Sequence, residues 1–182
     1  MVAASALASV GTADVAAGKA RVPELEVEKL QQVFDAAQKN TRLIVALSPT
    51  SARCLAGASA VEAMLRRHPG ARVQVFLVWE GVSEKDKKGG REGAYAKVKD
   101  ARVVQYWDPK LEFSKRMVAE ALERPELLRG VENVTKNMII WDVVTVYPRG
   151  VRWQGNLPVP QYYGRSVVDR IGDVENLVAA GK

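Results

Sequence analysis

Cysteine and histidine are nearly absent from this chain. Its 182 residues carry one of each, Cys54 and His68. A single thiol excludes an internal disulfide framework and any site built on two thiolates. A single histidine removes most metal centres and leaves only one Cys–His pairing to consider. Neither a metal nor a cofactor is expected. Long apolar runs are also missing, so no membrane span is expected. No phosphate-binding loop is present. Lys85-Asp86-Lys87-Lys88-Gly89-Gly90-Arg91 is basic and glycine-bearing but lacks the strand–Gly-x-x-x-x-Gly-Lys-Ser/Thr–helix order, and a solvated loop is expected there. The excess of positive charge is modest, at +6. Basic residues are spread along the chain with local clusters at Arg66-Arg67 and Lys85–Lys88, which favours a solvated basic surface over a nucleic-acid interface.

What is present belongs to a globular domain. Hydrophobic residues make up 47% of the chain and charged residues 26%, and the length suffices for one domain with a sizeable core. Residues 1–22 are expected to form an arm or the remnant of an export segment, since Met1–Ala20 is rich in Ala, Val, Ser and Gly without a basic start. Residues 23–182 form the domain. Cytoplasm and periplasm are equally compatible with one cysteine.

Periodicity sets the element order. Pro23–Asn40 has apolar residues at helical spacing, and Arg42–Ser48 is a buried strand. Cys54–Arg67 is a helix that stops at a basic last turn followed by Pro69-Gly70, which makes His68 a helix-end residue. Arg72–Trp79 and Arg102–Trp107 are strands, separated by a charged loop and a short helix over Ser83–Asp100. Leu111–Leu128 is helical with a break near Pro125. Asn137–Tyr147 is expected to be one long strand, turned by Pro148-Arg149-Gly150 into a hairpin partner at Val151–Gln154. Val167–Arg170 is expected to be extended, with Asp173 capping a last helix. Repeated strand–helix units imply parallel strands, and the closing hairpin adds antiparallel ones. The fold class is α/β, with a mixed central sheet of about five strands between two layers of helices.

Cys54 follows the first core strand within Ser48-Pro49-Thr50-Ser51-Ala52-Arg53-Cys54, where the hydroxyl residues are candidate helix caps. A thiol in the first helical turn beside Arg53 sits where the helix dipole and a cation both favour thiolate. The opposing reading makes Cys54 a small apolar side chain packed into the sheet.

The element order, with a cysteine in the first turn of the helix after the first core strand, resembles the thioredoxin-like fold. Ser51-Ala52-Arg53-Cys54 lies where that family carries Cys-x-x-Cys. The chain also resembles a divergent bacterial group of thioredoxin-like proteins, through strands that end in Trp-acid pairs and the Tyr106-Trp107-Asp108-Pro109 element. The resemblance implies a redox role with Cys54 as site, supported by Ser51 and Arg53, and an external thiol or a protein disulfide as partner. Two departures stand against dithiol activity. The family's attacking cysteine is Ser51 here, and a hydroxyl does not replace a thiolate in disulfide exchange. The family's cis-proline before the hairpin is also missing, for Val134–Met138 holds no proline. Two functions therefore stand at the level of sequence. One is a monothiol oxidoreductase acting on a disulfide or peroxide through Cys54. The other is a non-enzymatic binding or scaffold domain that has lost the dithiol.

The remaining candidates are expected to rim the same crevice. Pro49 and Thr50 belong to the loop before the cysteine. Trp79-Glu80 and Trp107-Asp108 fall at the carboxyl ends of parallel strands, the edge where open α/β sheets bind ligands. Their plain alternative is a sheet end closed by tryptophan, with acids capping the next turn or helix. Asp142, in Trp141-Asp142, is an acid on an otherwise apolar strand face, which implies a sheet edge or a buried partner.

Overall fold

A computed structural model describes residues 22–89 and 91–180. The expected N-terminal arm, up to residue 21, lies outside the described residues.

Thr41–Leu47 (β1) is buried at every position and runs through the centre of a five-stranded sheet. Val73–Glu80 (β2) pairs parallel to β1, and Val103–Asp108 (β3) pairs parallel to β2. On the other side Val143–Tyr147 (β4) pairs antiparallel to β1, and Tyr162–Arg165 (β5) pairs antiparallel to β4. The order across the sheet is β3-β2-β1-β4-β5. A strand buried on both faces needs apolar residues at every step, and Leu43-Ile44-Val45-Ala46-Leu47 supplies them.

The helices are Val27–Ala36 (α1), Ala52–Arg67 (α2), the short Glu84–Lys88 (α3) and Glu92–Tyr95 (α4), Glu112–Glu123 (α5) and Val167–Ala180 (α6). They divide between the two faces of the sheet according to the alternation of the strands. Val73, Val75, Leu77 and Trp79 pack against α2 and α6, together with Leu43, Val45 and Leu47. Phe76 and Val78 face α1 and α5, where Phe34 meets Tyr147 and Trp153 edge-on at ring-centre distances of 5.1 and 5.9 Å. Gly57 lets α2 approach α6 closely, since a Cβ there would lie 3.1 Å from the Val167 Cβ.

Four expectations about the C-terminal half are corrected. The strand over Asn137–Tyr147 begins only at Val143, because Asp142 has a left-handed backbone (φ 53°) that no strand continues through. Gly150 makes the expected turn at φ 83°, but Val151–Gln154 does not form the hairpin partner. Instead the buried Arg42 guanidinium donates to the carbonyls of Pro148 and Val151, and Trp153 sinks fully into the core beside Phe34. The chain regains the sheet at β5. Val167–Arg170 is helical rather than extended, since its first N–H is capped by the distant Asp142 carboxylate. Asp173 lies inside α6 and accepts a hydrogen bond from the Tyr162 hydroxyl at 2.8 Å.

Candidate functional site

The loop from β1 into α2 is the start of the site. Ser51 is the N-cap of α2, and its hydroxyl oxygen accepts from the Cys54 N–H at 3.4 Å. That places the Cys54 side chain in the first turn, pointing to the sheet, where it has no solvent exposure and joins the cluster of Leu47, Val61 and Trp79. Burial pushes the thiol up to about 11, and the nearby Asp142 and Asp86 charges push the same way. The Ser51 hydroxyl and the Ser48 backbone act in the opposite sense and are outweighed. A helix terminus is worth about 0.3–1 kcal/mol to an anion, less than the cost of carrying an isolated charge into a dry core. At neutral pH about one thiol in 10⁴ is ionised for such a value.

Arg53 does not turn toward the thiol. Its guanidinium donates to the Ser166 hydroxyl at 2.7 Å and to the Asp169 carboxylate, and lies 3.6 Å from Asp142. Asp142 is the centre of this cluster. One of its oxygens accepts the Val167 N–H at 3.0 Å, and its carbonyl accepts the Ser166 N–H at 2.7 Å. The residue that ends the approach to β4 therefore also starts α6 and holds Arg53 over the motif.

On the other side of the loop stands Asp86, which sequence reasoning assigned to a solvated basic segment. It is fully buried. One carboxylate oxygen accepts from the Ser48 hydroxyl, the Thr50 hydroxyl and the Thr50 N–H at 2.8, 2.6 and 3.2 Å. The other accepts from the Ser83 N–H and hydroxyl at 2.8 and 2.9 Å, completing a capping box for α3. Burial raises its carboxyl, but these donors together hold it below the ordinary range. The signal in the sequence was Ser83-x-x-Asp86, a capping-box spacing. Its reach to Ser48 and Thr50 was not visible there. Pro49, between them, is buried.

The structure brings Ser51, Arg53, Cys54, Thr50 and Asp142 together. Of the Trp-acid pairs, the tryptophans pack with the Cys54 cluster, Trp79 within it and Trp107 against it, while the acids Glu80 and Asp108 lie on the other face of the sheet. Trp79 packs on the α2 and α6 face, with its indole N–H donating to Gln105 at 2.8 Å. Trp107 is partly buried under the Arg91 guanidinium, 4.3 Å above its ring. Glu80 and Asp108 are neighbours across the β2–β3 ladder on the opposite face, beneath the first turn of α5. Asp108 accepts the N–H groups of Glu112 and Phe113, each at 2.9 Å, so it follows the helix-capping alternative. Glu80 has no solvent exposure and neither of its oxygens has a partner among the described residues. Burial raises the Glu80 carboxyl well above the usual range, and the Asp108 charge adds to it. No cluster of three or more metal-ligating side chains occurs among the described residues, and no helix there is long and apolar enough to cross a membrane.

No protein-family model matches the chain, and no curated protein sequence does. Among solved structures it is similar to a thioredoxin-like protein determined in solution in its oxidized form. The TM-score is 0.50 and the identity 16%, over 78% of this chain and 79% of that one.

The fold is thioredoxin-like.

A weaker similarity is to the thioredoxin domain of a thiol-disulfide oxidoreductase from Bacteroides vulgatus, with a TM-score of 0.43 and 12% identity over 80% of this chain and 84% of that one. Identity this low shows the fold alone. Within a thioredoxin-like fold the departures gain a geometric meaning. Ser51, set against the first cysteine of Cys-x-x-Cys by the sequence resemblance, is a helix cap in this structure. The residue before the first hairpin strand is Asp142, which faces the motif, and every peptide bond among the described residues is trans.

Proposed function

We propose that this chain is a thioredoxin-fold binding domain that has given up thiol chemistry, with the edge around Ser51, Arg53 and Asp169 offered to a protein partner. The observation that carries this reading is the full burial of Cys54 in the apolar cluster beneath α2, which disfavours its thiolate. The Ser-x-x-Cys tetrapeptide and the Trp-acid strand ends further suggest membership of a divergent bacterial group within the fold. Arg53 and Asp169 are each more than half exposed and hold one another at this edge, which suits polar recognition of a partner and not the capture of an apolar ligand.

The second reading is a monothiol oxidoreductase, favoured by the place of Cys54 in the first turn of α2 beside Ser51. In that chemistry the Cys54 thiolate attacks a disulfide, a mixed disulfide forms as one thiolate leaves, and an external thiol then releases Cys54 reduced. It needs the sulfur to reach solvent. Alkylation of native protein by iodoacetamide across pH 6–11, counted by mass, separates the two. Binding without thiol chemistry predicts modification only in denaturant or at strongly alkaline pH. Rapid alkylation near neutrality supports the monothiol reading instead.

A further inference from the structure

The most unusual group outside the Cys54 edge is Glu80. A carboxyl with no exposure and no hydrogen-bond partner among the described residues is a costly feature unless it is neutral. Its surroundings are defined. Asp108 on β3 is its ladder neighbour and is 1% exposed. From α5 come Glu112, whose charge acts on Asp108, and the backbone N–H of Ser114, which favours a charge on Glu80 but makes no hydrogen bond of normal geometry to it. Lys110, in the turn before α5, offers Asp108 its backbone N–H, while its ammonium lies 3.7 Å from Glu24. Asp108 already carries the N–H groups of Glu112 and Phe113. Two carboxyls therefore share one helix N-terminus in the core, and that terminus has donors for one carboxylate with little left for a second.

Ser114 connects this pair to the Cys54 edge. Its hydroxyl oxygen accepts the Ile140 N–H at 2.7 Å, in a contact buried on both sides. Two residues later comes Asp142, which accepts the N–H groups of Val167 and Ser166 and lies 3.6 Å from the Arg53 guanidinium. We propose that Glu80 is a buried proton switch, held as the neutral acid under the first turn of α5, whose ionisation displaces Ser114 and releases the Ile140–Asp142 segment from the Cys54 edge. The drive is repulsion between two carboxylates in a dry ladder position together with the pull of the new charge on the Ser114 N–H. The transmitting element is the continuous path Glu80, Ser114, Ile140, Asp142.

The test is a pH titration of the full chain by NMR. The amides of Ile140 and Val167 are followed by nitrogen–proton correlation, and glutamate carboxyls by carbon-13 labelling. The expected result is one glutamate carboxyl that titrates well above the ordinary carboxylate range, with both amides inflecting at the same midpoint. Glu80→Gln, which keeps shape and removes the charge, is expected to abolish that carboxyl signal and both inflections. Asp108→Asn, which relieves the repulsion, is expected to move the midpoint to lower pH. This second variant keeps the proposal testable if Glu80→Gln fails to fold. The proposal is overturned by any of three results. All glutamates titrate in the ordinary range; the amides ignore the high-titrating carboxyl; or the Ile140 and Val167 inflections persist in Glu80→Gln.

Discussion

Asp86 does more for the Cys54 edge than any residue of the motif itself. Five hydrogen bonds from Ser48, Thr50 and Ser83 converge on one buried carboxylate, so a single side chain fixes the loop before α2 and the start of α3. Asp86→Asn exchanges an acceptor oxygen for a donor and leaves at least one hydroxyl without a partner. A loss of about 1–3 kcal/mol is expected, measured from urea midpoints at unchanged slope. Because the folded carboxyl titrates below its unfolded value, its contribution is present above the ordinary aspartate range and disappears as pH falls through the lowered folded value. The midpoint difference between wild type and Asp86→Asn is therefore expected to shrink in strong acid. Asp142 makes a second residue-scale case. Its left-handed backbone suits Asp or Asn and penalises Ala. Asp142→Ala is expected to cost about 1–3 kcal/mol and Asp142→Asn clearly less, by the same unfolding measurement. Equal losses in the two variants would show that neither the backbone strain nor the Val167 cap matters.

Elements were legible where periodicity alone decides and illegible where a distant residue decides. The all-apolar β1 and the alternation of β2 were readable because burial on two faces writes itself into consecutive residues. The start of α2 was readable to within two residues, because its cap, Ser51, is one of three hydroxyl residues just before Cys54. The start of α6 was not, because its cap is the Asp142 carboxylate 25 residues upstream. The hairpin was misplaced for a similar reason. Pro148-Arg149-Gly150 carries a good turn signal, but Arg42 from β1 takes the carbonyls beyond it and the bulk of Trp153 draws the chain into the core. At the site, Ser51, Arg53, Cys54 and Asp142 were recognisable as chemistry-bearing types. That Arg53 turns to Asp142 and Asp169, and that Asp86 sits beneath the loop, depends on side-chain reach across elements, which spacing does not encode. Helix docking gives a prediction at this scale. Gly57→Val would press a branched side chain against Val167, which is itself buried at the start of α6. A loss of about 1–3 kcal/mol is expected by thermal or urea unfolding, against a small effect for valine at the exposed position Ala56 of the same helix.

Across the whole molecule, buried and half-buried acids fall into two groups with opposite pH responses. Asp86, Glu62 and Asp100 are held below the ordinary carboxylate range by donors and arginines, and Glu175 is brought to about 2 by Arg67 and His68. These groups add stability above their unfolded values and lose it as pH falls through the lowered folded ones. Glu80 and Asp108 are raised by burial. Their contribution is complete below the unfolded carboxylate values and is lost as pH rises through the folded ones. The sum places greatest resistance to urea on the acid side of neutrality, with decline in both directions, and a series of unfolding curves from pH 3 to pH 9 checks it. The fold is thioredoxin-like, yet the charges of its core serve helix ends and loop anchors, while the single thiol stays neutral.

That neutrality is the central claim, and it is tested most directly by the pH dependence of thiolate formation at Cys54 in the native protein, followed by ultraviolet absorbance of the thiolate and by the rate of alkylation. A midpoint near 11 is expected, with a native rate at pH 8 at least about a hundredfold below that of the denatured chain. A midpoint near or below 7, with native and denatured protein reacting at similar rates, would contradict it and return Cys54 to the role of nucleophile.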